Sequence, residues 1–139
     1  MNVKFNIDTK FKTTPPHCRF FSSIDETKLI IDKNSQVIEL DLNFHQNDFI
    51  GIEFLNKDDA DDNIVEIKKV SIDDIDLQHF IFNGTFEPVY NIDWYNKQIT
   101  KPPKVYKPGT LLRHHGIWKL DIRLPIWKMV LDFWVNDEK

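Results

Sequence analysis

The sequence predicts an all-β protein, a two-sheet antiparallel β-sandwich with a jelly-roll-like arrangement. Apolar and polar residues alternate along most of the chain, which is the pattern of strands that have one buried and one solvated face. Turn signals separate these segments, and no helical pattern lies between them. Aromatic residues, which are favoured on pleated surfaces, make up 13% of the chain.

The N-terminal half supplies most of the strand candidates. In the first candidate, Val3, Phe5 and Ile7 share one face. Pro15 and Pro16 then interrupt the pattern, because proline cannot donate a hydrogen bond to a strand ladder. Further candidates follow at residues 18–21, 28–31, 38–44 and 50–54.

The next strand candidate changes phase in its middle. Val65 and Ile67 share one face, whereas Val70 and Ile72 have the opposite parity. The slip between these two pairs, at Lys68–Lys69, predicts a β-bulge or a move from one sheet to the other.

The rest of the chain is interpreted as strands around one long connection. Residues 80–82 predict a short strand, closed by a turn at 83–84. The connection at 87–109 holds four of the seven prolines, and long connections often carry function. Two apolar rows then predict the last two strands: Trp118, Leu120, Ile122 and Leu124, and, after Pro125, Trp127, Met129, Leu131, Phe133 and Val135. No segment predicts a helix.

Composition limits the class of protein. With 139 residues, the chain can bury its own core, and we expect residues 1–139 to form a single domain. The net charge of −4 provides no basic excess for nucleic acid. Cys18 is the single cysteine, so neither an intrachain disulfide nor a Cys-based zinc site is expected. Because no stretch is apolar enough for a membrane span or a signal peptide, we expect a soluble protein, cytoplasmic or virion-associated.

An acidic loop at residues 56–63 is the sharpest local feature. Its carboxylates are Asp58, Asp59, Asp61 and Asp62. Calcium takes six to eight oxygen ligands, so this cluster predicts a candidate calcium site. The loop does not follow the EF-hand pattern, because Ile64 stands where that pattern requires glycine. The alternative is a solvated turn that places charge at a sheet edge.

Two stretches carry a resemblance to a known family. One is Gly51-Ile-Glu-Phe-Leu-Asn-Lys-Asp, leading through Asp62-Asn-Ile-Val-Glu-Ile-Lys-Lys-Val-Ser-Ile-Asp, and the other is Gly116-Ile-Trp-Lys-Leu-Asp-Ile-Arg-Leu-Pro-Ile-Trp. They resemble jelly-roll carbohydrate-binding modules of the calcium-dependent, xylan-binding kind, and sandwich domains of phage proteins of unassigned role. The resemblance implies a β-sandwich, a calcium ion held by the acidic loop, and sugar recognition by exposed aromatic rings.

Four aromatic residues are candidates for a ligand-binding surface. Trp94, Tyr95 and Tyr106 lie in the proline-rich connection, and Trp134 lies on the non-core face of the predicted last strand. Flat rings stack on sugar faces, and they equally anchor protein interfaces. The alternative is that these rings pack into a small core of the connection itself.

The sequence therefore predicts a non-catalytic recognition or assembly module rather than an enzyme. Its partner would be another protein, a second copy of the chain or a glycan, and one role would be a structural or accessory protein of a virus or phage. The competing hypothesis is a glycoside or ester hydrolase that uses a pair of aspartates from the cluster Asp73, Asp74 and Asp76. A zinc site at His114-His115 is not expected, because adjacent strand residues face opposite sides.

Overall fold

The computed structural model describes residues 1–77 and 79–137. Across these residues the chain forms two five-stranded sheets, and every strand pairing is antiparallel. This confirms the predicted two-sheet antiparallel β-sandwich, while the finer jelly-roll description stays a prediction. The strands are β1 (Asn2–Lys10), β2 (His17–Phe21), β3 (Glu26–Ile30), β4 (Ser35–Asp41), β5 (Asn47–Phe54), β6 (Ile64–Ile72), β7 (Ile75–Asp76), β8 (Thr85–Pro88), β9 (Leu111–Leu112) and β10 (Gly116–Arg123).

Each sheet combines one pair of consecutive strands with strands that are distant in sequence. The first sheet has the order β4-β1-β6-β7, and β9 also pairs with β6. The second sheet has the order β3-β2-β5-β10-β8. The connections at 11–16 and 55–63 therefore both cross from one sheet to the other.

The core lies between the two sheets and is formed by the alternating apolar residues. Phe5 on β1 and Phe20 on β2 meet across the core with their ring centroids 5.1 Å apart. Phe54 and Trp118 are fully buried beside them. Burying each such side chain contributes about 1.5–3 kcal/mol. The apolar residues at every second position of the strands are therefore the main source of the stability of the fold. Cys18 is also fully buried, and burial raises the pKa of its thiol to about 12.

The predicted phase change in β6 is a β-bulge. Asn6 of β1 pairs with Lys69, and the next residue, Ile7, pairs with Ile67. Lys68 is thus the extra residue, and the bulge turns both Val65 and Val70 into the core.

The C-terminal segment corrects the sequence prediction. Residues Ile126–Asp137 form the helix α2 rather than a strand. Ile126 and Met129 are buried against the sandwich, whereas Trp127, Leu131 and Val135 of the predicted core row are exposed. Residues four positions apart lie on the same face of a strand and also on the same face of a helix. The spacing of Trp127, Leu131 and Val135 therefore fits either element. Burial at Ile126 and Met129, three residues apart, shows that the helical period is the one the fold uses.

Two further segments also differ from the prediction. The connection contains a helix, α1 (Ile92–Lys97), although no helix was expected. The Asn91 side chain caps it by accepting hydrogen bonds from the amides of Asp93 and Trp94. The predicted strand at 80–82 is a 3₁₀ helix, Phe80–Asn83. In the described part of the chain, neither α-helix reaches the length and apolarity that crossing a bilayer requires.

Candidate functional site

Three connections line one cavity of about 730 Å³, which we call the ring cavity. They are the acidic loop between β5 and β6, the segment around α1, and the turn between β9 and β10. The side chains that matter most below are Asp59, Asp62, Tyr90, Trp94, Arg113 and His114. The ring cavity therefore combines aromatic rings with charges of both signs.

An aromatic stack forms one wall of the ring cavity. Tyr90 stacks on Trp94, with ring centroids 5.5 Å apart and an interplanar angle of 24°. Tyr90 also stacks on Tyr95 at 5.7 Å, and the Lys101 ammonium lies 4.8 Å from the Tyr95 ring centroid. Trp94 is the most exposed of the three stacked rings, with 38% of its surface accessible. Trp94 is thus available to a ligand and is supported from behind by Tyr90.

Tyr90 is fixed at its hydroxyl as well as at its ring. The hydroxyl donates to the Pro103 carbonyl and lies 3.2 Å from the Tyr106 hydroxyl. Burial, and then the hydrogen bond with Tyr106, raises the pKa of Tyr90, so the phenol stays neutral. The stack is thereby held to the proline-rich segment and has little freedom to rotate.

His114 packs against the aromatic stack from the opposite connection. Its ring centroid lies 4.8 Å from that of Tyr90 and 5.2 Å from that of Trp94. Burial, and then the positive charge of Lys57, lowers the pKa of His114 below its usual value. The neutral imidazole is therefore the form that the ring cavity favours.

The acidic loop is attached to the N-terminal crossing between the sheets. The Asp61 carboxylate accepts hydrogen bonds of 3.0 Å from the backbone amides of Lys12, Thr13 and Thr14. Burial would raise the pKa of Asp61, but these amide hydrogen bonds outweigh it and lower the pKa. Asp58 accepts a hydrogen bond of 2.7 Å from the Thr14 hydroxyl. Both carboxylates thus act as structural acceptors.

The predicted calcium site does not fit this arrangement of the loop. Asp58 and Asp61 already accept protein donors, and Asp62 is paired with the Lys57 ammonium at 3.0 Å. Within residues 1–77 and 79–137, no three His, Cys, Asp or Glu side chains converge closely enough to hold a metal ion. Calcium binding stays a prediction, and it would require the loop to rearrange.

The structure separates the predicted site residues into different places. Trp94, Asp59 and Asp62 line the ring cavity together, and Tyr95 lies in the stack behind Tyr90. Tyr106 lines an adjoining cavity of about 330 Å³. Trp134 lies on α2, with its ring centroid 5.0 Å from that of His79, and does not line either cavity.

Sequence reasoning missed several residues of the ring cavity, of which three matter most for its chemistry. Tyr90, Arg113 and His114 were not among the predicted ligand-binding residues, although they line it. The density of rings and prolines in residues 87–109 was the available signal for Tyr90. Nothing in the sequence indicates that the turn after β9 faces the acidic loop, because that depends on strand order.

Comparisons with known proteins relate this chain to others by structure alone. No protein-family model matches the chain, and no curated protein matches it in sequence. Among solved structures it is similar to vCBM60, a carbohydrate-binding module solved in complex with galactobiose. The two align with a TM-score of 0.58 and 11% sequence identity, over 88% of this chain and 100% of that one. At this identity the likeness shows the fold, and this chain therefore has the β-sandwich fold of a carbohydrate-binding module.

Proposed function

We propose that the chain is a non-catalytic glycan-binding module and that the ring cavity is its binding site. The observation that carries the proposal is the position of exposed Trp94 in the same cavity as Asp59 and Arg113. Among the described residues, neither Asp59 nor Arg113 has a hydrogen-bond or ion-pair partner, so both can serve a ligand. A sugar ring has an apolar face that stacks on indole and hydroxyls that bond to charged groups.

The site is also preorganised for such a ligand. Asn91 caps α1, and the Tyr90 hydroxyl holds the stack to Pro103, so Trp94 is positioned before a ligand arrives. Ordering side chains on binding costs about 0.5–1.5 kcal/mol for each, and a fixed platform avoids that cost. The likeness to a module solved with galactobiose supports the same function.

The test is glycan binding by a Trp94→Ala variant. We expect an array of neutral oligosaccharides, with galactobiose among them, to identify ligands, and calorimetry to show at least about a tenfold loss of affinity in the variant. Trp127→Ala is the matched control, because Trp127 is an exposed tryptophan on α2 outside the ring cavity. Equal affinities of wild type and Trp94→Ala would refute the proposed site.

A role in assembly is the second candidate function, and one surface favours it. Trp127, Leu131 and Trp134 are exposed along α2 at helical spacing. Such a row is the kind of apolar surface that a protein partner or a second copy would cover, as a structural protein of a virus or phage would require. Light scattering measures the molar mass of the protein in solution. A monomeric mass at all concentrations tested would speak against self-assembly.

A hydrolase using paired aspartates has weaker support. A glycosidase needs one carboxyl group with a raised pKa as the acid, but Lys57 lowers the pKa of Asp62 in the ring cavity. Asp73 and Asp74 form the tight turn between β6 and β7, and both have positive φ. The carboxylate of Asp73 accepts from the Asn2 amide, and Lys4 pairs with Asp74. We therefore expect bound oligosaccharides to be recovered uncleaved by chromatography.

A further inference from the structure

A second cavity continues the ring cavity along the same surface. It has a volume of about 330 Å³, and Arg113 and His114 line both cavities. Its other walls include Phe86, Tyr106 and Pro108. A ligand that leaves the ring cavity past Arg113 therefore enters a second space with an aromatic wall.

The charges around this second cavity have one sign, so we call it the basic cavity. Lys107 and Arg113 line it together with His114, and no carboxylate does. Among the described residues, neither Lys107 nor Arg113 has a hydrogen-bond or ion-pair partner. The chain as a whole carries a net charge of −4, so this is a local departure from its composition.

The other two arginines of the chain differ from Arg113 in this respect. Arg19 pairs with both Glu26 and Glu53, and Arg123 pairs with Asp132. Lys57 is bound to Asp62 at 3.0 Å. Among the described arginines, Arg113 is therefore the one without an ion-pair partner, and together with Lys107 it places two cations without such partners at the basic cavity.

The loop that carries Lys107 is packed tightly against the sandwich. A Cβ atom on Gly109 would lie 2.5 Å from the Phe86 Cβ, so this close approach requires glycine. Tyr106 and Phe86 are joined by backbone hydrogen bonds of 2.9 Å in both directions. The basic cavity is thus a shaped feature of the fold.

From these observations we infer that the glycan is acidic and that the basic cavity binds a uronate unit next to the unit stacked on Trp94. This inference rests on the proposed function. In the ring cavity Asp59 and Asp62 offset the positive charges of Lys57 and Arg113, whereas in the basic cavity Lys107 and Arg113 attract a carboxylate with no acid beside them. A guanidinium binds a carboxylate through paired hydrogen bonds, and the Tyr106 ring offers a stacking face for the same sugar.

The test compares acidic oligosaccharides with their carboxyl-reduced forms, which differ only in the carboxylates. Suitable probes are oligosaccharides from pectin, alginate and glucuronoxylan, measured by calorimetry. We expect at least one acidic form to bind about tenfold more tightly than its reduced form, since two exposed ion pairs are gained. Raising the salt concentration is expected to reduce this preference.

Two double variants assign the preference to the basic cavity. In Lys107→Ala/Arg113→Ala the ratio of the acidic to the reduced affinity is expected to fall to about one. Lys28→Ala/Lys128→Ala removes the same charge from exposed positions outside both cavities and is expected to keep the wild-type ratio.

The outcomes separate this inference from the proposed function. If reduced forms bind through Trp94 but no acidic form binds more tightly, the uronate inference is wrong and the glycan-binding function stands. A preference for acidic forms that survives in Lys107→Ala/Arg113→Ala also overturns the inference. If neither form binds, both proposals fail.

Discussion

Two regions of this protein expose tryptophan, and they do so in different surroundings. Trp94 is 38% exposed in a cavity beside Asp59 and Arg113, neither of which has a hydrogen-bond or ion-pair partner among the described residues. Trp134 is 44% exposed on α2, close to His79 and beside the apolar row of that helix. A ring in a polar-lined cavity suits a ligand that has both apolar faces and hydroxyls, whereas a ring in an apolar row suits a protein surface. The surroundings of an exposed ring, rather than its exposure, therefore indicate the kind of partner.

Loosening α2 is the strongest way to test whether the two regions are independent. Met129→Ala removes a buried side chain between α2 and the sandwich and is expected to lower the free energy of unfolding by about 2–3 kcal/mol. Glycan affinity should remain, because α2 does not line the ring cavity. Urea unfolding and calorimetry measure the two effects, with Val135→Ala, an exposed position on the same helix, as the control. A folded Met129→Ala protein that no longer binds glycans would show that the regions are coupled.

The second test changes the loop beside the basic cavity and leaves α2 intact. Gly109→Ala places a methyl group against Phe86 and is expected to cost about 1–3 kcal/mol of stability through overpacking. Because Lys107 and Tyr106 shift with this loop, the preference for acidic oligosaccharides should fall as well. Thr100→Ala, an exposed change in the same connection, is the control for both measurements. Unchanged stability and unchanged preference would mean that the loop can move without affecting the cavity.

Lowering the pH is expected to weaken the cavity region through His114. Burial, and then Lys57, lowers the pKa of His114 below its usual 6.5, so the unfolded chain takes up this proton more readily than the folded protein. The stability contribution is therefore complete above pH 6.5 and is lost as the pH falls through and below that value. Thermal melting from about pH 7.5 to about pH 5 should show a smaller loss for His114→Gln than for wild type. His45→Gln, in an exposed loop, is expected to behave as wild type.

Calcium is expected to have the smallest effect of these tests. Because Asp58 and Asp61 hold protein donors in the present arrangement, added calcium should leave the melting temperature and the glycan affinity unchanged. The matched sample contains a chelator in place of the ion. A melting temperature that rises and saturates with calcium would show that the loop rearranges into the predicted site.

The sheets of this fold could be predicted from the sequence, because burial on a strand follows a period of two. The phase change at Lys68–Lys69 could be predicted for the same reason, whereas the strand register was needed to show that it is a bulge at Lys68 and not a move between sheets. The helix α2 could not, because Trp127, Leu131 and Val135 satisfy both periods and only packing against β10 decides between them. The spacing of apolar residues therefore predicts a strand or a helix wherever it fits the period of only one of them.

The site was predictable in its parts but not in its assembly. Trp94 and Asp59 were both candidates, yet nothing in the sequence places the acidic loop beside α1. That proximity follows from β5 and β8 flanking β10 in the second sheet. Arg113 and His114 enter the site through the turn that precedes β10, and a side chain's role as a cavity wall appears only when the strand order is known.

The hydrogen bonds of Asp61 have a consequence for the distant N-terminus. They join residues 12–14, in the first crossing between the sheets, to the acidic loop, which forms a later crossing between β5 and β6. Asp59 and Asp62 project from that same loop, so their positions depend on a stretch of chain that contacts no ligand. Shortening or stiffening residues 12–14 should consequently alter sugar selectivity at long range, and libraries aimed at new specificities gain by varying these positions too.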